Sequence, residues 1–166
     1  MDDLLSKLET QAVAYAKSRG ISIVFDNPVG CGTDGRVWKT SRKSAVKVFE
    51  RESNYERERD CYRRLKALAI FQVGRFEIPR LIDQDDRWLV IEMGIVAPPF
   101  LLDFAKSYLN HPPDFSPEVM AEWEEQQIEW FGDRWPEIRS ALYDLDKIGI
   151  YYRDVRPGNI MFPEDT

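Results

Sequence analysis

The chain has 166 residues, the size of one domain or of two small lobes sharing a cleft. Hydrophobic residues make up 43% and aromatic residues 13%, enough for a real core, which excludes wholesale disorder. A net charge of −6 argues against a nucleic-acid binder but leaves room for a local basic cleft.

The start, Met1-Asp2-Asp3, is acidic and lacks the basic-then-apolar pattern of a secretion signal. Leu4, Leu5, Leu8 and Ala12 recur at helical spacing and predict a helix from Asp3 to about Lys17, stopped by Gly20. Ile21 to Phe25 predicts a strand, and Asn27-Pro28 leads into Gly30-Cys31-Gly32-Thr33-Asp34-Gly35-Arg36-Val37. Glycines at these intervals let a tight turn approach phosphates and aim backbone N–H groups at them. Read alone, the run is equally a plain hairpin turn. The strand that follows it sets it apart from strand–loop–helix dinucleotide loops.

Val37 to Thr40 and Ala45 to Phe49 are predicted strands joined by the turn Ser41–Ser44. Lys47 thus falls in an otherwise apolar strand, a costly place for a cation that meets no anion, although many strand lysines simply face solvent. Glu52 to Leu68 predicts a helix that buries Tyr55, Tyr62 and Leu65. It carries Glu56 and Glu58 among four arginines, a pattern that a solvated face also gives. Ile78 to Ile82 and Trp88 to Met93 predict a hairpin turning at Asp83 to Asp86, and Val96-Ala97-Pro98-Pro99 marks an inter-lobe boundary.

Beyond that boundary helices are expected. One starts near Ser116-Pro117-Glu118 with Val119, Trp123 and Trp130 on one face, and Trp123, Trp130 and Trp135 are expected to pack the small helical lobe. Another follows Pro136, with Ile138, Ala141, Leu142, Leu145 and Ile148 in a stripe that Gly149 ends. Two cysteines, Cys31 and Cys61, and one histidine, His111, leave no disulfide framework, no His-based metal cluster and no Ser-His-Asp triad. No apolar run approaches the roughly 20 residues needed to span a bilayer, so a soluble, cytoplasmic protein without membrane contact is expected. Strands first and helices second predict an α+β chain.

The last segment is Tyr152-Arg153-Asp154-Val155-Arg156-Pro157-Gly158-Asn159-Ile160. An Asp and an Asn on one loop with Arg between them present a proton acceptor, a cationic clamp and a metal ligand together. Pro-Gly-Asn by itself is ordinary turn chemistry.

Taken in order, these four segments resemble the protein-kinase-like superfamily, whose motifs they match over about Ile21 to Phe162. The resemblance implies an antiparallel β N-lobe with one C-helix and a minimal helical C-lobe. It divides the chain into an N-terminal helix (1–20), the N-lobe (21–95) and an abbreviated C-lobe with the catalytic loop (96–166). It implies ATP and Mg2+ as cofactors and a hydroxyl acceptor. Gly30, Gly32 and Gly35 match the glycine-rich loop, with Val29 and Val37 where that family packs adenine and Ala45 on the cleft roof. Lys47 matches the phosphate-contacting lysine and Glu58 its helix partner. Ile91 resembles the gatekeeper, and Glu92, Met93 and Gly94 the hinge. Met161 resembles the apolar residue beneath the base. In the catalytic loop, Asp154 is implied as proton acceptor, Arg156 as the cation on the transferring phosphoryl and Asn159 as a magnesium ligand. Tyr152 stands where the family has His.

The family's D-F-G aspartate is the main magnesium ligand, and only Pro163-Glu164-Asp165-Thr166 follows Phe162. On this reading transfer is severely slowed, Glu164 and Asp165 form a solvated tail, and the chain is a minimal kinase, a degenerate relative or a fragment. A partner or second copy covering the helices is expected. The alternatives to a phosphotransferase are a pseudokinase-like binding module and a small-molecule kinase. Cys31, within the glycine loop, is a speculative redox position.

Overall fold

In the computed structural model residues 2–26, 29–32 and 34–165 are described. The fold is α+β, with several mostly antiparallel sheets. Helix α1 (Asp2–Ser18) leads into β1 (Ile23–Val24), the glycine hairpin β2 (Gly30–Gly32) and β3 (Gly35–Thr40), and then β4 (Ser44–Phe49). Helix α2 (Glu52–Ala67) follows, then β5 (Gln72–Val73), β6 (Phe76–Glu77), β7 (Leu81–Asp85) and β8 (Val90–Gly94). Past Pro98-Pro99 come β9 (Phe100–Leu101), β10 (Tyr108–Leu109), α3 (Pro117–Phe131), α4 (Trp135–Lys147), β11 (Ile150–Tyr151) and β12 (Ile160–Met161).

The main sheet runs β1-β3-β4-β8-β7, with β2 paired to β3. Alternation along β4 explains why all six of its residues are buried, since the strand separates two apolar clusters. Val46 and Val48 face α1, packing with Leu8, Ala12, Tyr15, Trp38 and Val90. Ala45 and Phe49 face the larger cluster with Tyr55, Tyr62 and Leu65 of α2 and with Leu142 and Leu145 of α4. Lys47 alternates with them and therefore points to that second face.

On the α1 side, Glu92 is fully buried and accepts from Arg42 Nε (2.6 Å), Tyr15 Oη (2.7 Å) and the Ser44 hydroxyl. Burial works to raise the Glu92 pKa, but these donors outweigh it and hold the carboxyl below its ordinary value. A buried charge with several donors ties α1 and the β3–β4 turn to the sheet.

Several expected boundaries shift. The hairpin reaches through Asp85 before it turns, because Leu81–Asp85 pairs with Val90–Gly94 through a register shift between Leu81 and Asp83. Leu4 and Leu5 are exposed, and the buried face of α1 is Leu8, Ala12, Tyr15 and Ala16. Val119 and Trp130 are also exposed, so of the three tryptophans only Trp123 and Trp135 pack together, edge to face at 5.6 Å. The region after Pro99 does not turn helical at once. Two short strands intervene, and β9 joins β12 and β6 in a four-stranded sheet ordered β12-β9-β6-β5. Among the described residues no helix is long and apolar enough to cross a membrane.

Gly35 shows why the hairpin needs a glycine. A Cβ built there would meet the Val48 carbonyl oxygen at 2.1 Å, a contact that backbone on both sides cannot relieve. Gly35→Ala will push β3 off β4 and cost about 1–3 kcal/mol of stability, read by urea denaturation. An unchanged midpoint would refute this packing account.

Candidate active site

Lys47 and Glu58 come from different elements and meet in the buried space between β4 and α2. Lys47 Nζ donates to Glu58 Oε2 at 2.6 Å, with the side chains 8% and 1% exposed. Glu56, the other acidic candidate on α2, is exposed. The spacing Tyr55, Glu58, Tyr62, Leu65 is one helical face, so the glutamate is carried inward by the same stripe that packs the core. Its burial is tolerated because a cation meets it. Burial alone would push the Lys47 ammonium down, but Glu58 and Asp103 outweigh it and hold its pKa above the ordinary lysine value. Burial pushes Glu58 the other way for a carboxyl, up to about 7.

Asp103 is the residue that sequence reasoning missed. Its Oδ1 lies 3.2 Å from Lys47 Nζ, and its Oδ2 lies 4.0 Å from the Arg156 guanidinium. The segment Asp103-Phe104-Ala105 differs by one residue from the D-F-G tripeptide of the family that the chain resembles, but it precedes the Tyr152–Ile160 loop in the chain. Pairing explains how it arrives. Strand β9 runs antiparallel to β12, with Leu101 opposite Ile160, and Leu102 N–H donates to the Asn159 carbonyl at 2.8 Å. Asp103 then leaves the strand at φ 69, a left-handed conformation that Asp accepts more readily than most residues. Phe104, Ala105 and Ser107 are buried beside it and anchor the segment.

The loop from Tyr152 to Ile160 supplies the remaining groups. Asp154 Oδ2 lies 3.8 Å from Arg156 and 3.9 Å from Lys106. Asn159 Nδ2 donates to the Asp154 carbonyl at 3.0 Å, which closes the loop on itself. Arg153 pairs with Asp146 on α4 at 3.3 Å. Tyr152 is fully buried, packs edge to face on Phe104 and donates to the Leu102 carbonyl at 2.6 Å. It therefore does more than fill space: it holds the backbone just ahead of Asp103. Tyr152→Phe will cost about 1 kcal/mol, measured by urea denaturation, because the Leu102 carbonyl loses its donor. A variant as stable as the parent would show that this hydrogen bond contributes nothing.

The glycine hairpin reaches over this group. Asp34 is 6% exposed and accepts from Asn54 Nδ2 on α2 at 2.7 Å. Carboxylate oxygens of Asp34, Asp103 and Asp154 lie within 4.8 Å of one another, a hard-oxygen set that fits a divalent cation such as magnesium. Neither Asp34 nor Asp103 was expected here. The signal for Asp103 was present in the string itself, but nothing in the local sequence around Asp34 distinguishes it from a turn residue.

The other expected positions fall as follows. Val37 packs against the main core and pairs with Lys47 across β3–β4, and Ala45 pairs with Met93 across β4–β8. Ile91 is buried directly opposite Lys47 in the register. Glu92, Met93 and Gly94 lie inside β8 with β4 on one edge and β7 on the other, so they do not form an open connecting segment; Ile95 and Val96 are the first residues beyond it. The Glu92 side chain faces α1, away from Lys47. Val29 is exposed, and its N–H donates to the Val37 carbonyl. Gly30 and Gly32 pair with Val37 and Gly35 in the hairpin. The thiol of Cys31 and the whole of Thr33 lie outside the described residues. Met161 borders a cavity of about 380 Å³ with Trp130, Phe131 and Arg134. Glu164 and Asp165 pair with Arg134 at 3.6 and 2.9 Å, away from the lysine–carboxylate cluster.

No family model, curated protein or solved structure matches the chain.

Proposed function

We propose that the chain is a protein-kinase-like ATP-dependent phosphotransferase acting on a hydroxyl, with a metal-binding carboxylate taken from before its catalytic loop. The observation that carries this reading is the meeting of the buried Lys47–Glu58 pair with Asp103, Asp154 and Asn159, four stretches of sequence converging on one point. A pair that expensive to bury is better explained by a site than by stability.

In this reading Glu58 aims Lys47 at the nucleotide phosphates, and the glycine hairpin offers backbone N–H groups to them. Asp103 and Asn159, with Asp154 beside them, would hold magnesium. When bound, that ion neutralises charge on the phosphates and helps order them for in-line displacement. The acceptor oxygen attacks the terminal phosphorus as its proton passes to Asp154, and the bond to the bridging oxygen breaks to leave ADP. Arg156, beside both aspartates, offsets charge on the phosphoryl group in flight.

Titrating ATP into the purified protein with and without Mg2+ tests the reading. Binding is expected to need the metal and to be lost in Lys47→Ala. Asp154→Asn should retain binding while phosphate release or self-labelling from γ-labelled ATP falls by about 10²- to 10⁴-fold. Binding without turnover in the parent protein would favour a nucleotide-binding module instead. No binding at all would end both readings.

A further inference from the structure

Three cations surround the three carboxylates, and the roles above use only two. The third is Lys106, whose Nζ lies 3.7 Å from Asp34 and 3.9 Å from Asp154. It is held in an unusual way. Its neighbours Phe104, Ala105 and Ser107 are buried, and Ser107 N–H closes a turn onto the Phe104 carbonyl at 3.0 Å. The Lys106 side chain is the one in this stretch that leaves the core, 44% exposed, and it leaves toward the cluster. A fixed backbone with an outward lysine presents a point charge on a flexible stem at a set place.

That place lies between the glycine hairpin, through Asp34, and the loop carrying the proton acceptor, through Asp154. Lys47 stands on the opposite side, buried against Glu58 and Asp103. A triphosphate laid along the hairpin with its inner phosphates at Lys47 would bring its terminal phosphate to the Asp154 side, where Lys106 stands. We infer that Lys106 is a further phosphate-binding residue, specific for the terminal phosphate, which exchanges its contacts with Asp34 and Asp154 for that group when ATP enters. The exchange replaces one set of charge–charge contacts by another, so Lys106 remains paired in both states. The inference rests on the nucleotide-binding reading and adds that this cleft distinguishes ATP from ADP through a lysine carried beside Asp103.

Calorimetric titration of Mg·ATP and Mg·ADP into the parent, Lys106→Ala, Lys106→Arg and Lys47→Ala proteins tests it. Lys106→Ala is expected to weaken ATP about tenfold and to leave ADP within a factor of about two, while Lys106→Arg retains most of the discrimination. Lys47→Ala should abolish binding of both nucleotides. Equal losses for ATP and ADP in Lys106→Ala would assign Lys106 to holding the hairpin in place and overturn the inference, as would no loss for either. Failure of the parent protein to bind either nucleotide would instead overturn the reading beneath it, and the inference with it.

Discussion

On the phosphotransferase reading, Asp103→Asn will leave the protein folded and will lower magnesium-dependent phosphoryl transfer by about 10²- to 10³-fold. The substitution keeps the side chain's shape and its acceptor oxygen for Ala105 N–H, which lies at 3.3 Å. It removes the negative charge that faces Lys47 and Arg156 and that would meet the metal. An amide is a weaker ligand for a hard cation than a carboxylate, so the magnesium dependence should move to higher concentration as well as the rate falling. The same substitution at Asp165, which is bound to Arg134, should leave transfer as it was. Full activity in Asp103→Asn, with loss in Asp165→Asn, would place the metal carboxylate after the Tyr152–Ile160 loop and refute the assignment of Asp103.

At pH 8, where Glu58 is mostly ionised, Glu58→Ala will cost about 3–5 kcal/mol, because it strips a partner from a charge that stays buried. Lys47 retains Asp103, so the loss belongs toward the lower end of that range. The dependence on pH has a definite sign. Burial, followed by the opposing pull of Lys47 and the repulsion of Asp103 and Asp34, leaves Glu58 with a folded-state pKa of about 7 against an ordinary value of 4.5. A carboxyl raised in this way binds a proton more readily folded than unfolded. Its contribution to stability is therefore greatest at low pH and declines as pH rises from about 4.5 through about 7. The stability difference between the parent and Glu58→Ala should accordingly be larger at pH 5 than at pH 8, in urea titrations at fixed ionic strength. A difference that grew with pH would mean that Glu58 is charged throughout and that pairing outweighs desolvation.

Much of the scaffold was legible in the chain because periodicity reports burial. The stripes of α2 and α4, the strands on either side of Ser41–Ser44 and the Ser116 cap all stand where their spacing puts them, and Ser116 Oγ does accept from the Val119 N–H. Short elements were not legible. Strands β9 and β10 have two residues each, too few for alternation to register, and their pairing is decided by partners far along the chain. The site divided along the same line. Lys47, Glu58, Asp154 and Asn159 stand in recognisable local strings, whereas Asp103 stands ahead of Asp154 in the chain, out of the order that the resemblance gives its D-F-G segment. Lys106 and Asp34 gain their meaning only from tertiary approach, and no local pattern marks them.

The partnership of β9 with β12 also bears on how the molecule assembles. Leu101 and Ile160 stand about sixty residues apart in sequence, so closing that contact costs more chain entropy than any hairpin in the main sheet. During synthesis the first sheet can form while the later segment is still absent. Asp103 cannot be held in place until the chain has been made through Met161. The main sheet that carries Lys47 can therefore form early and the three carboxylates come together late, and a chain made only through β8 would present Lys47 without Asp103 and Asp154.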